Sequence, residues 1–161
     1  MARYYPVFLD LKGRPCVVIG GGEVGERKVQ TLLESGAVVT VISPQVTPRI
    51  RALADGGELQ LQSREYADGD LAGVFLAIAA TDQAHVNRAI VAEAAREKVV
   101  LNVVDEPSLC TFIAPSIVNR GDVTVAISTS GTSPALARKL RESLEESDLL
   151  DYSELAGTLS H

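Results

Sequence analysis

The residues of this chain best suited to chemistry are glycines. Across residues 16–25, Cys-Val-Val-Ile-Gly-Gly-Gly-Glu-Val-Gly, an apolar run breaks into glycines and a helical pattern opens behind them, with Gly20, Gly22 and Gly25 at G-x-G-x-x-G spacing. At that spacing Gly20 permits the tight turn out of a strand, Gly22 lets a pyrophosphate approach the backbone, and Gly25 lets the new helix lie close to the sheet. The N–H groups left free at the helix start would face the phosphates, so Gly20, Gly21, Gly22, Glu23, Val24 and Gly25 form a candidate dinucleotide cradle. A plain glycine-rich turn is the alternative for such a stretch in isolation, and the flanking strand and helix favour the cradle.

Two carboxylates follow where a parallel sheet would present them. Residues 74–80 read as a buried strand ending at Thr81-Asp82, and residues 99–104 read as the next strand, which delivers Asp105 to the same carboxyl edge. Ala80, Thr81 and Asp82, small residues followed by a helix from about Gln83 to Glu97, suit the ligand crevice of an open α/β sheet. Taken alone, Asp82 reads equally as an N-cap, and Asp105 as a side-chain cap of the turn at Glu106-Pro107. His85, on the first turn of the helix, reads as solvent-facing. Cys16 and Cys110 form no C-x-x-C or zinc-like cluster and read as buried free thiols, and no metal-ligand set is expected.

These residues require a βαβ scaffold to position them. Val17, Val18 and Ile19 are β-branched and too few for a helix; Val29, Leu32 and Leu33 then give the stripe of a helix lying on a sheet, Gly36 stops it, and Val38–Ile42 makes the second strand. The residue closing that strand is Ser43, followed by Pro44, where an NAD fingerprint usually has Asp or Glu. A serine can hydrogen-bond a ribose but has no charge to repel a 2′-phosphate, so this position does not settle NAD against NADP. Residues 46–55 look helical, and Glu58–Gln62 is a short strand. Residues 4–11 read as an extended lead-in packed on the sheet edge.

After Asp105 the alternation of strand and helix stops. Thr111–Val118 and Val123–Thr129 are β-rich runs joined by the hairpin sequence Asn119-Arg120-Gly121-Asp122. Ser133 then stands as N-cap and Pro134 as first residue of a helix carrying Leu136, Leu140 and Leu144 on one face and Arg138, Lys139 and Arg141 beside them. That helix start could hold a second anion or simply be a well-capped surface helix with solvated charges. Beyond Ser147 the pattern fades into a polar tail.

The 161 residues allow one substantial core, and 46% hydrophobic with 22% charged residues is a globular composition whose apolar runs are too short for a bilayer. The start Met1-Ala2-Arg3-Tyr4 has no signal-peptide pattern, so a cytoplasmic protein is expected. A net charge of -6 argues against a general nucleic-acid surface but leaves room for a local basic pocket.

Five ordered motifs carry a resemblance. They are Tyr5-Pro6-Val7-Phe8-Leu9, the glycine loop followed by Glu26-Arg27-Lys28, Ala79-Ala80-Thr81-Asp82, Asn102-Val103-Val104-Asp105-Glu106-Pro107, and Ser130 through Arg138. Together they resemble the siroheme-synthase family of precorrin-2 dehydrogenases, including the N-terminal part of the larger siroheme enzymes. The resemblance implies NAD-dependent oxidation of precorrin-2, a tetrapyrrole, to sirohydrochlorin, with ferrous-iron insertion in some members, and a homodimer whose C-terminal segments interlock. It assigns Asp105 to catalysis and Ser128 to the tetrapyrrole cleft, and adds Asn102 and Val104 to the cofactor contacts. The substrate's carboxylates call for localised cations, for which Arg27, Lys28, Arg120 and Arg138 are candidates. Family members usually continue into a further helical region that is short here. The expected architecture is a Rossmann-type parallel sheet over residues 1–112, with an appended β-hairpin and helix as a dimerisation element over 113–161. A non-catalytic NAD-binding sensor or regulatory module is the competing class, although such sensors more often carry an acid where Ser43 stands.

Overall fold

A computed structural model describes residues 4–121 and 123–147. They fall into two compact units, Pro6–Phe112 and the residues from Ile113 onward, the latter together with Tyr4 and Tyr5. The first unit holds five strands, β1 (Pro15–Gly21), β2 (Val38–Val46), β3 (Gln60–Gln62), β4 (Leu76–Ala79) and β5 (Val100–Val103), all parallel and ordered β3-β2-β1-β4-β5. Three helices accompany them: α1 (Glu23–Glu34), α2 (Pro48–Asp55) and α3 (Ala84–Glu97). The order reverses at β1, flanked by β2 and β4, and that reversal places a crevice at the carboxyl end of β1.

The central strand is apolar throughout because both faces are covered. Cys16 and Val18 pack with Val29, Leu32, Val39 and Ile50 on one side, whereas Val17 and Ile19 pack with Ala77, Ala79, Ile90 and Leu101 on the other. No helix joins β3 to β4. In its place the irregular connection 63–75 buries Leu71 in the second of these cores. Glu93, fully buried on α3, fastens the connection: its carboxylate accepts from the Gly69 and Leu71 N–H groups at 3.0 and 2.9 Å and from the Tyr66 hydroxyl. A buried carboxylate with three donors has its desolvation offset, and the Tyr66 phenol is pushed up by burial and by Glu93.

In the second unit β6 (Ser116–Arg120) and β7 (Val123–Ile127) form an antiparallel hairpin, followed by α4 (Pro134–Glu145). The Ser133 hydroxyl caps α4 by accepting from Leu136 N–H, with Pro134 at the first helical position as expected.

Several boundaries differ from the sequence reading. The second strand runs past Ile42 to Val46, because Gly21 pairs with Val46 beyond an irregularity after Ile19. Pro44 lies inside that irregular stretch, where no ladder partner requires its missing N–H. Residues 46–55 therefore begin as strand, and the helix starts at Pro48 under a Thr47 cap. The first hairpin strand starts at Ser116 and not Thr111, since Thr111 and Phe112 are bonded back to Leu101 on β5. Arg120 already belongs to the ladder, because it pairs with Val123. The lead-in forms no strand, and Tyr5, Val7, Phe8 and Leu9 are exposed. It feeds the central strand and not an edge, so only Leu11 enters the core, with Gly13 N–H bonded to Gly36. The polar tail beyond Ser147 lies outside the described residues. Among those residues no helix is long and apolar enough to cross a membrane.

Candidate functional site

The turn from β1 into α1 shows why its glycines are glycines. Gly20 has φ +108°, and a Cβ there would lie 2.3 Å from the Ala80 carbonyl oxygen; at Gly25 it would lie 2.2 Å from the Gly20 carbonyl oxygen. Both are required by close backbone approach within the chain. Gly21 is excluded from bearing a side chain by β2, with Val46 Cγ1 2.5 Å away. Gly22 is different: nothing lies within 4 Å of its Cβ position. It is the N-cap of α1, extended, and no side chain caps the first-turn N–H groups. An uncapped helix start beside a bare Gly22 fits a pyrophosphate.

This turn floors a cleft of about 750 Å³, a volume suited to a cofactor. Of the expected contacts, Gly20, Gly21, Gly22, Glu23, Ser43, Pro44, Ala80, Thr81 and Asp82 line it. Asp82 is exposed and does not cap α3; the N-cap is Gln83, whose N–H is bonded to the Thr81 hydroxyl at 3.1 Å. His85 is exposed as expected. Gly25 serves packing below the cleft. Asn102 is not brought to it, since its amide nitrogen donates to the Phe112 carbonyl at 3.1 Å. Residues that the sequence reading missed complete the walls, among them Gln45 and Thr47 on the extended β2 side and Glu65 and Tyr66 on the β3–β4 connection.

A second hollow, of about 310 Å³, is lined by Val24, Arg27, Lys28 and Thr31 of α1 and by Val104 and Asp105 after β5. Val24 and Val104, expected at the cofactor, thus stand beside Asp105. Asp105 occupies the left-handed region at φ 61°, and among the described residues its carboxylate has no hydrogen bond or ion pair, so the turn-capping alternative is not what is seen. Lys28 is half-buried, and its ammonium is pulled below the ordinary 10.5 by burial and by Arg27, with Asp105 opposing. Neither Arg27 nor Lys28 has an ion-pair partner among the described residues. The Cys110 thiol holds the segment that carries Asp105, accepting from Val103 N–H at 3.1 Å and lying 3.3 and 3.4 Å from the Val103 and Glu106 carbonyls. Burial pushes its pKa up, and that of the buried Cys16 to about 11, so neither is a ready thiolate.

The other expected substrate contacts belong to the second unit. Arg120 donates to the Glu145 and Ser147 carbonyls at 2.8 and 3.4 Å, which fastens β6 to the end of α4. The Ser128 hydroxyl accepts from Ser130 N–H, and Arg138 is exposed on α4. Among the described residues no group of three His, Cys, Asp or Glu side chains could hold a metal ion.

Comparison with known proteins places this geometry. Residues 7–116 match a family described as "Putative NAD(P)-binding", and residues 120–147 match one described as "Sirohaem biosynthesis protein central". The siroheme synthase of Methylobacillus flagellatus is 48% identical over 152 residues, covering 94% of this chain and 32% of that protein. A Yersinia pestis siroheme synthase is 43% identical over 156 residues, covering 97% of this chain and 33% of that protein. The chain therefore spans about a third of the length of these relatives. Among solved structures, SirC, precorrin-2 dehydrogenase, superposes with a TM-score of 0.82 at 30% identity, covering 96% of this chain and 76% of that one.

Proposed function

Because the chain belongs to the siroheme-synthase family and its first unit to the NAD(P)-binding proteins, we propose that it oxidises precorrin-2 to sirohydrochlorin with NAD. The observation that carries the reading is the Asp105 carboxylate, without a hydrogen bond or ion pair among the described residues, lining one hollow with Arg27 and Lys28 at the same sheet edge as the glycine cleft. Dehydrogenation removes a hydride and a proton from the macrocycle. NAD, when bound, supplies the hydride acceptor. The glycine loop holds the cofactor's diphosphate on backbone N–H groups, and Asp105 accepts the proton through its carboxylate oxygens. Arg27 and Lys28 bind substrate carboxylates beside it.

Spectroscopic turnover of precorrin-2 with NAD tests this directly, with growth of reduced cofactor absorbance as the expected result. NAD binding without turnover would favour the sensor class. Ferrous iron added to the product then reads whether the chain also inserts the metal. The homodimer is proposed on separate grounds: Ile117, Leu136 and Leu140 expose apolar surface on the hairpin and α4, which a second copy would cover. Light scattering should give a dimer, and a monomer at high micromolar concentration would contradict it.

A further inference from the structure

The second strand lacks the acid that usually distinguishes NAD from NADP, and the structure supplies one from elsewhere. The Ser43 hydroxyl is committed to the Gln45 carbonyl at 2.6 Å. Gln62 pairs with Ile42, so the chain leaving β3 emerges beside Ser43 and Pro44 at the carboxyl edge. Glu65, three residues further on, is exposed and lines the cleft together with Ser43 and Pro44. Its carboxylate has no hydrogen-bond or ion-pair partner among the described residues. The adjacent cation is withheld: Arg64 donates to both Asp70 carboxylate oxygens, at 2.6 and 2.8 Å, and also to Gln62. No lysine or arginine lines the cleft among the described residues, and Glu23 and Asp82 add further negative charge.

We propose that Glu65 is the residue that makes this cleft select NAD over NADP. Its carboxylate accepts from the adenosine ribose hydroxyls of NAD and repels a 2′-phosphate, which would find no cation to neutralise it. The Arg64–Asp70 pair keeps the one neighbouring guanidinium from taking that part. The assignment rests on the dinucleotide reading of the cleft.

Titration of the full chain with NAD and with NADP, followed by calorimetry, tests it without any turnover. The parent should bind NAD about tenfold or more tightly than NADP, and Glu65→Gln should lose about tenfold of that preference, through weaker NAD binding as the charged acceptor is removed and tighter NADP binding as the repulsion is removed. Glu65→Lys should carry the preference further toward NADP. Because Glu65 is exposed, both variants should melt with the parent. A parent that binds NAD but whose preference is unchanged in both variants overturns the proposal alone. A parent that binds neither dinucleotide overturns the cleft assignment and the proposal together.

Discussion

The glycine cleft and the Asp105 pocket share helix α1, yet they are made of different material. The cleft is shaped by backbone: two of its glycines, Gly20 and Gly21, and Gly25 beneath it would collide with neighbouring chain if they carried a Cβ, no lysine or arginine lines it among the described residues, and its carboxylates are Glu23, Glu65 and Asp82. The pocket is made of side chains, with Arg27 and Lys28 facing one carboxylate. A diphosphate can be held by helix N–H groups and the helix dipole without a formal cation. A substrate bearing several carboxylates needs mobile charge, and α1 carries Arg27 and Lys28 little more than one turn further along. On the proposed reading one helix serves two anions by two mechanisms, and substitutions on either side should separate them.

The largest effect is expected at Asp105. Asp105→Asn keeps the shape, and asparagine tolerates the left-handed φ of 61° as well as aspartate does, so the fold should be retained. Initial rates should fall about 10²-fold or more while NAD affinity stays near the parent's. If Asp105 served only to hold the left-handed turn, asparagine would replace it there and turnover would be spared. Parent-like rates would make Asp105 a turn residue and leave the pocket without its proton acceptor.

On the cleft side the matching test is Gly22→Val. Open space surrounds its Cβ position and its φ of -77° suits any residue, so the melting temperature should hold. NAD titration should show affinity reduced about tenfold or more, since displacing a phosphate forfeits at least one charge-assisted hydrogen bond. Gly25→Val, with a Cβ 2.2 Å from the Gly20 carbonyl oxygen, should instead lose the fold. Unchanged NAD affinity in Gly22→Val would remove the loop from the cofactor site.

The same contrast explains what could be read before the structure. Backbone-built features leave a spacing signature, because only glycine survives where chain approaches chain. Thus Gly20 and Gly25, and likewise the Ser133-Pro134 helix start, were visible as residue types at fixed offsets, with Gly22 marked by its place between them although no chain approaches it. The parallel sheet followed from β-branched runs buried on both faces. Side-chain partnerships over long sequence separations have no such signature. Glu65 and Tyr66 reach the cleft only through a connection that replaces a helix, pinned by a glutamate 27 residues from Tyr66. Nothing in composition marks Cys110 as the clasp of the Asp105 segment, or Arg120 as the group bonded to the end of α4. The run of β2 through Pro44 was hidden because a proline inside a strand ordinarily argues against it.

Lys28 should give a smaller, more selective loss. Lys28→Met keeps the aliphatic stem that the half-buried side chain packs and removes the charge. The KM for precorrin-2 should rise about tenfold, with kcat less affected and NAD affinity retained. The substitution also changes the pH dependence of stability. With the folded ammonium pulled below 10.5, the unfolded chain binds more protons between the lowered value and 10.5, so the stability of the parent rises with pH across that window. In Lys28→Met that rise should be reduced, as read from denaturant midpoints at a series of alkaline pH values. An unchanged KM would move the substrate's carboxylates to other cations.

The smallest effect belongs behind the wall of the cleft, at Asp70, which pairs with Arg64 beside the wall residue Glu65. Its carboxyl lies below the ordinary 3.8, chiefly because Arg64 donates hydrogen bonds to it, with the Ala67 N–H helping and burial opposing. A depressed carboxyl contributes stability that is present above 3.8 and is lost as pH falls through the lowered folded value. Asp70→Asn should therefore melt slightly below the parent at neutral pH, and the two curves should converge under acid conditions, because protonation removes from the parent what the substitution removes from the variant. The loss stays small because Arg64 is substantially exposed and solvent screens the pair. Asparagine can still accept from Ala67 N–H, so the shape of the connection is preserved and charge alone is tested. A melting difference that persists unchanged to the lowest pH would mean that Asp70 holds the wall by geometry. It would then be the hydrogen-bonded turn, and not the ion pair, that keeps Glu65 and Tyr66 facing the cleft.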